Sequence, residues 1–587
     1  MSENNNQSMG DLFPDLGPEV PIISGVAHDS TESLATVRRV PNEPGMAAKV
    51  FTMLAEAGVN VDMIVQASAS TGTADISFTV PGTAAAKVQE VLQEKQGELG
   101  FQSFDVDPNV GKVAVVGVGM KTHSGLAAKF FNALSDKGVN VLMISTSEIR
   151  IAALVPLEQL NDAVKADHIN QLNAITAYFY MRGLDYFGGM PIYYSVDDDL
   201  CARSTARETY AHIETLLKDA IPALSKKTTL GASEDGYIKQ AAAAALLAQL
   251  YFNAVAYIGE EHFDECAEIC RDIIGGVYGT YELDKTWYGP HCFDNNTSPE
   301  VIWTVPSENS KVEWNWYFKY FYHYSAYEYF GIETAGYNGF MLTPSLDPQG
   351  RYYTQWKLGN PYQKFNDKDL RKKPYRYLAS RKYEGMFLVG DQTNPNNPSQ
   401  QCLGQKEYSG KVINLVDQVA RFSEVGTKYN SVAELTSTMA DGEENSGIRL
   451  VKSPQPNLAD NMLRWNPDCP VIRLSEIYYM LAECELRAGD KKTAAGLINQ
   501  VRGRNFEGGA DPNPVTADNL DEYRMLDEWM IEFLGEGRRR TDLIRWDKFV
   551  TESWWDHTPL NDKNKNLFPI PNSAISANNL IEQNPGY

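Results

Sequence analysis

A chain that repeats itself has few folds open to it, and this one repeats at an offset of 80 residues. PGMAAKVFTMLAEAGVNVDMI at 44–64 aligns with SGLAAKFFNALSDKGVNVLMI at 124–144. The alignment pairs Gly45 with Gly125, Gly58 with Gly138, Asn60 with Asn140 and Met63 with Met143. Self-similarity of this kind means two copies of one supersecondary unit. Each copy opens on a β-branched run, LATVRRV or KVAVVGV, that suits a strand. A glycine then starts a helix whose apolar residues (Ala47, Val50, Phe51 and Leu54 in the first copy) recur at three- and four-residue spacing. Gly58 ends that helix, because glycine takes the left-handed conformation without a Cβ clash. The strands NVDMIVQA and ADISFTV, a helix over 84–98 and the strand FQSFDVD complete the order β-α-β-β-α-β, a ferredoxin-like α+β unit.

The remainder of the 587 residues is too long for one core, so the chain is multidomain. Helical hairpins dominate it. Ile238, Ala241, Ala245, Leu246 and Ala248 lead into a partner pattern of Phe263, Ala267, Cys270 and Ile273. A second hairpin turns at Gly489-Asp490, with Ile477, Leu481 and Leu486 before it and Ala494, Leu497, Ile498 and Val501 after it. Spacing and small-residue content resemble tetratricopeptide repeats. A further helix before Gly535 places Leu520, Tyr523, Leu526, Met530 and Phe533 on one face. One helical pattern runs into another near 167 with no Gly/Ser or Pro-rich linker. The boundaries expected are a disordered tail at 1–20, the repeat module at 21–166 and a helical, long-looped domain at 167–587.

Charge and motif content remove several functions. A net charge of −23, with Lys and Arg interspersed among acids, argues against a nucleic-acid partner. The eight histidines show no HExxH and no pair at ligand spacing, so neither a metal nor another cofactor is expected. No acidic pair stands out as a hydrolase dyad, and no enzyme is expected. Cys266 and Cys270, four apart on a helix, read as a buried thiol pair. In GEGRRRTDLIRW, Glu536 and the arginines read as ties between a helix end and its neighbour. The N-terminus MSENNNQSMGDLFPDLGPEV has no charged, apolar and cleavage regions of a signal peptide, and no lipidation site or eighteen-residue apolar run is found after it. The sequence as written is therefore expected to stay in the cytoplasm.

PIISGVAHD, VPNEPGMAAKVF, GVNVDMIVQ, ADISFTVP, GKVAVVGVGMKTH and STSEIRIAALV resemble, in order, the paired ACT domains of aspartokinase over about 21–165. The resemblance implies lysine or threonine bound as an allosteric effector between paired ACT domains, and an ACT-mediated dimer. A helix start at Gly45 offers backbone N–H groups and a positive dipole end to a carboxylate. Asn42, Asn60, Gln66, Asn140, Ser147 and Glu148 are the further effector-binding candidates. Asn42, Ser124 and Ala74 depart from the family's Asp, Pro and Thr, and the missing carboxylate at 42 weakens contact with a cationic amine. No phosphate loop precedes the module in this sequence, so no kinase activity is expected of it.

FGGMPI, AAAAALLAQLYF, SPEVIWTVP, VIRLSEIYYMLAECELRAGD, LINQVRGRN, EFLGEGRRRTDLIRW and FPIPNSAISANNLIEQNPGY resemble the SusD/RagB family over about 167–587. That resemblance implies an outer-membrane surface protein capturing glycans for a SusC-like TonB-dependent transporter. The family's first helices have no counterpart here, so apolar surface is expected to stand exposed over 167–257. Sugars present apolar C–H faces that Trp and Tyr rings match while their polar atoms stay wet. WNWYFKYFYHYSAYEYF at 314–330 holds eleven aromatics in seventeen residues. Trp314, Trp316, Tyr317 and Tyr320 are the candidates for oligosaccharide contact, with Trp287 and Trp356 behind them. The two resemblances imply different compartments, which marks the chain as a chimera. Its leading reading is a glycan-binding protein, and the alternative is an amino-acid-sensing subunit serving an aspartate kinase in trans.

Overall fold

The computed structural model describes residues 22–587 except 30, 69–71, 119–125, 137–138, 148–149, 158–161, 195–197, 233–235, 309–318, 334–335, 380–381 and 456–465. The tail expected at 1–20 lies outside the described residues. The chain divides into two compact units between Leu172 and Asn173.

The first copy of the repeat folds in the expected order. Strand β2 (Glu32–Pro41) is followed by α1 (Met46–Glu56), β3 (Ile64–Ser68), β4 (Thr73–Pro81), α2 (Ala85–Leu99) and β5 (Ser103–Asp107). The sheet is antiparallel, in the order β3-β4-β2-β5. Period-two alternation sends Ala35 and Val37 of β2 and Ile76, Phe78 and Val80 of β4 to one face. There they meet Val50 and Leu54 of α1 and Val88 and Leu92 of α2. VRRV breaks the alternation, and β2 is irregular there between Val37 and Val40, with Arg39 at φ 54°. The Asp75 carboxylate accepts the Arg39 amide at 2.7 Å and holds that conformation.

The second copy departs from expectation. Strand β6 (Val110–Val118), α3 (Leu126–Asp136), β7 (Met143–Thr146) and β8 (Arg150–Pro156) repeat the first four elements. The fourth strand comes from the start of the chain: β1 (Ile22–Asp29) pairs with β6, giving the order β1-β6-β8-β7. Ala27 lies opposite Ala114 as Asp105 lies opposite Thr36 in the first copy. The next described element after β8 is α4 (Asp162–Phe187), a helix of 26 residues, and among the described residues no strand downstream of β8 joins this sheet. The division between the units falls inside α4, later than the boundary at 166 expected from the sequence.

Within this unit the copies meet through equivalent residues. Met63 and Met143, paired by the repeat, share a buried cluster with Val110, Leu154 and Leu34. Beside it, the Lys112 ammonium lies 2.6 Å from Glu32 and 2.8 Å from Asp62, and Arg150 lies 3.4 Å from Asp62. Burial opposes the Lys112 charge, but the two carboxylates outweigh it and hold its pKa above the ordinary lysine range.

The second unit is helical where the sequence is periodic. After α5 (Ala206–Ala220), α6 (Gln240–Phe252) and α7 (Phe263–Ile274) form one hairpin, and α8 (Leu474–Arg487) and α9 (Lys491–Arg502) another. Every residue of α6 is buried, and its alanine run lets neighbouring helices approach closely. Gly489 adopts φ 92° at the second turn, and the Asp490 carboxylate accepts the Thr493 amide at 3.0 Å to start α9. Cys266 and Cys270 are buried, with sulfurs 3.9 Å apart. Apolar side chains are exposed near the start of the unit, including Phe179 at 63% and Leu200 at 57%.

The helix before Gly535 is α10 (Glu522–Glu532), and its largest fully buried side chain is one that the apolar periodicity does not mark. Trp529 is fully buried, whereas Tyr523 and Met530 are only half-buried. An indole N–H can sit in a core only with an acceptor, and Trp529 Nε1 donates to Glu483 Oε2 at 2.8 Å. Glu483 in turn holds Arg545 of α11 (Arg539–Arg545) at 2.8 Å. Buried arginines outweigh desolvation and draw the Glu483 pKa down to about 2.

A second buried network ties loops to helices. Glu532 meets Arg371 and Arg473 at 2.8 Å each and Arg504 at 3.1 Å. Glu536 meets Arg473 at 2.9 Å and Lys452 at 2.8 Å, and Glu300 pairs with Arg473 and Arg504. With Asp369 on Arg371, four carboxylates face four cations. Glu536 and the arginines of GEGRRRTDLIRW therefore act as structural ties: Arg538 reaches Glu476 at 2.6 Å and Arg540 reaches Asp185 at 3.0 Å. The intervening loops enclose an aromatic core that includes Trp287, Phe330, Tyr375 and Phe387.

Candidate ligand-binding sites

In the repeat unit, Gly45 adopts φ 94° and no side chain caps α1. Its start is exposed, so the first-turn amides of Ala47 and Ala48 lie at a surface. Asn42 donates its amide to Gly72 O at 3.1 Å, and Gln66 Nε2 lies 3.5 Å from Asn42 Oδ1. The structure thus gathers Gly45, Asn42 and Gln66 at one end of the first copy. Asn60 is exposed in the connection to β3, and Asn140 and Ser147 are exposed on the second copy. The Ser147 amide donates to Arg150 O at 2.7 Å, which closes the β7–β8 hairpin. Glu148 lies outside the described residues.

In the second unit, Trp314, Trp316 and Tyr317 lie outside the described residues. Trp287 is 8% exposed and packs edge-on against Tyr288 and Tyr383, which makes it core. Trp356 is half-buried against Tyr353. Tyr320 stands in an exposed aromatic cluster. Its ring lies 5.1 Å from Tyr337 and 5.5 Å from Phe340, which are each 55% exposed. Backbone bonds fix the display. Tyr337 N donates to Lys319 O at 2.9 Å, and Gly339 N and Phe340 N donate to Tyr320 O at 2.7 and 2.8 Å. Between them Asn338 turns the chain at φ 51°. Aromatic density in the sequence misses Tyr337 and Phe340, although GYNGF, with glycines flanking a turn-forming Asn, marks a turn carrying rings.

Behind the cluster, Cys402, His323 and Glu444 line up. Cys402 Sγ is 3.3 Å from His323 Nδ1, and His323 Nε2 is 3.0 Å from Glu444 Oε2. The arrangement has the order of a nucleophile, base and orienting acid, but Cys402 is fully buried and burial pushes its thiol up to about 12. Glu444 also accepts the amides of Gln405, Lys406 and Tyr408 at 2.9–3.0 Å, so the line anchors a loop. A cleft of about 250 Å³ lies between residues 363–369 and α10, with Arg502 at its edge, but its charges pair with one another: Arg502 and Arg524 both reach Glu528 at 2.7 Å. Among the described residues, no group of three His, Cys, Asp or Glu side chains could hold a metal ion, and no helix is long and apolar enough to cross a membrane.

The ACT domain profile matches residues 38–96 and 113–170, and the SusD family profile matches residues 299–587. The chain joins a region that matches the ACT profile to a region that matches the SusD profile. Aspartokinase from Corynebacterium efficiens is 44% identical over 156 residues, 26% of this chain and 37% of that protein. Aspartokinase from Helicobacter pylori is 41% identical over 150 residues, 26% of this chain and 36% of that protein. The chain thus spans little more than a third of the length of these relatives. A SusD superfamily protein from Parabacteroides distasonis covers 73% of this chain and 80% of its own, with 18% identity and a TM-score of 0.50. The fold is a ferredoxin-like α+β ACT pair followed by a mostly helical SusD fold with long loops.

Proposed function

We propose that the SusD region is a saccharide-binding module whose contact face includes Tyr320, Tyr337 and Phe340. The exposure and mutual spacing of these three rings carry the reading. Planar rings held open by a bonded turn offer a stacking surface for sugar C–H faces at little ordering cost. Trp314, Trp316 and Tyr317 precede Tyr320 closely in sequence and belong to the same proposal. A SusC-like transporter is the partner the family suggests, at the outer membrane. The test is affinity electrophoresis of the whole chain through gels cast with a panel of polysaccharides. Retardation by at least one polymer is expected, and the double variant Y337A/F340A loses it while keeping its melting temperature. A double variant retarded as strongly as the parent removes this face from the site.

For the ACT region we propose amino-acid sensing, supported by the exposed helix start at Gly45 beside Asn42 and Gln66. Lysine or threonine is the candidate effector, bound in an ACT-mediated dimer. Either should raise the melting temperature of this unit in a concentration-dependent way. Identical melting curves with and without both amino acids at millimolar concentration count against the reading.

A further inference from the structure

The turn that displays Tyr337 and Phe340 rests on a buried cation that, among the described residues, has no counter-charge. Arg449 is 3% exposed. Its Nη2 donates to Asn338 Oδ1 at 2.8 Å, while Nε and Nη1 have no hydrogen-bond partner. Other buried arginines of this region differ: Arg371, Arg473, Arg502, Arg504 and Arg545 each lie against at least one carboxylate. An enclosed guanidinium without an anion is costly, and pairing with an anion relieves the cost. Burial draws the Arg449 pKa down to about 10, with the Tyr324 hydroxyl a weaker opposing influence. A second cation stands near the same phenol: Lys406 Nζ lies 5.3 Å from the centre of the Tyr324 ring. The carboxylates behind the cluster are already committed. Glu444 holds His323 and three amides, and Glu443 holds the Tyr408 hydroxyl at 2.6 Å and Ser423.

We propose that the saccharide taken at the aromatic face is acidic, carrying a uronate or sulfate whose oxygens accept from Arg449, with Lys406 beside it. The proposal rests on the reading of Tyr320, Tyr337 and Phe340 as the saccharide face. Arginine suits it because its planar fork matches the two oxygens of a carboxylate or sulfate. Nε and Nη1 are enclosed in the unliganded chain, so the anion reaches the guanidinium by displacing the Asn338 amide, its single hydrogen-bond partner. A net charge of −23 repels acidic polymers, so a local pair of cations has to supply the selectivity.

The test compares polygalacturonate with the same polymer after carboxyl reduction, using the whole chain and isothermal titration at low salt. The acidic polymer should bind at least tenfold more tightly than its reduced form, and that difference should shrink as salt is raised. R449Q should lose at least tenfold in affinity for the acidic polymer, and K406Q, which alters an exposed side chain, should lose severalfold. Chondroitin sulfate binding in place of polygalacturonate, with the same response to R449Q, assigns the anion as sulfate. Equal affinity for the acidic and reduced polymers overturns the inference and leaves the aromatic face standing. Loss of binding to both in Y337A/F340A supports the face independently. A chain that binds neither these polymers nor any neutral one overturns both. If R449Q does not fold, K406Q and the carboxyl-reduced polymer decide the matter between them.

Discussion

The ACT and SusD regions solve the same problem of burying charge in opposite ways. In the ACT region the described cores are apolar, and its one linked ion cluster among the described residues, Lys112 with Glu32, Asp62 and Arg150, sits beside the contact between copies. In the SusD region carboxylates such as Glu300, Glu483 and Glu532 lie fully enclosed among arginines. The difference follows from how the chain supplies contacts. A repeated unit meets its own copy through equivalent apolar residues, as Met63 and Met143 do. Long loops bring together segments far apart in sequence, and directional bonds from arginine forks fix which loop goes where. Such pairs add little net stability over apolar packing, but removing one partner strands the rest.

The largest expected effect breaks the SusD network. Glu532→Gln leaves Arg371, Arg473 and Arg504 undercompensated and should cost about 3–5 kcal/mol. All ten tryptophans lie at or beyond residue 287, so tryptophan fluorescence during urea unfolding reports this region alone. Hydrogen exchange of peptides from 44–64 should stay unchanged, and a shared loss would show that the contrast between the regions is wrong. Acid should act on the same region. Glu483 is ionised in the fold down to about pH 2 but only to about 4.5 when unfolded, so its stabilising contribution is present above 4.5 and fades as pH falls toward 2.

A somewhat smaller effect is expected at the contact between ACT copies. Met63→Ala opens a cavity at a residue 1% exposed and should cost about 2–4 kcal/mol by transfer and cavity terms. Met143→Ala should behave alike, without moving the tryptophan transition. A silent Met143→Ala would mean that the repeat's symmetry in sequence is not symmetry in energy. The smallest effect concerns Asp417, a half-buried carboxyl with no ion-pair partner among the described residues, on which Lys372 acts only weakly. Burial raises Asp417 to about 6 although it accepts the Ser345 amide at 3.0 Å. The folded state therefore holds a proton more tightly than the unfolded one, and stability falls as pH rises from about 4 through 6. Asp417→Asn should raise the melting temperature by a degree or two at pH 7.5 and by less at pH 4.5. An equal gain at both values would assign the effect to packing.

Legibility tracked periodicity. The hairpins at 240–274 and 474–502 and the first ACT copy could be read because single faces repeat at helical or strand spacing. Trp529 could not, since its burial depends on Glu483, 46 residues away, which no local pattern shows. The proposed saccharide face was half legible. Aromatic density pointed to Tyr320, but Tyr337 and Phe340 join it only because a bonded turn folds back on Tyr320 O. Arg449 carried no local signal, because its significance lies in the acid that is absent beside it. The strand closing the second ACT sheet was hidden for a topological reason: it lies before the first copy instead of after the second.

That strand changes what counts as a unit of inheritance. Because β1 lies upstream of the first copy and pairs with β6 of the second, the duplicated segments are not separable modules that can be cut apart and passed on singly. A gene fragment beginning at Glu32 would encode the first copy whole and the second with β6 as an open edge, which invites pairing with another chain. Any recombination that moves this region must carry both copies together with the strand ahead of them, so the pair travels as one indivisible cassette.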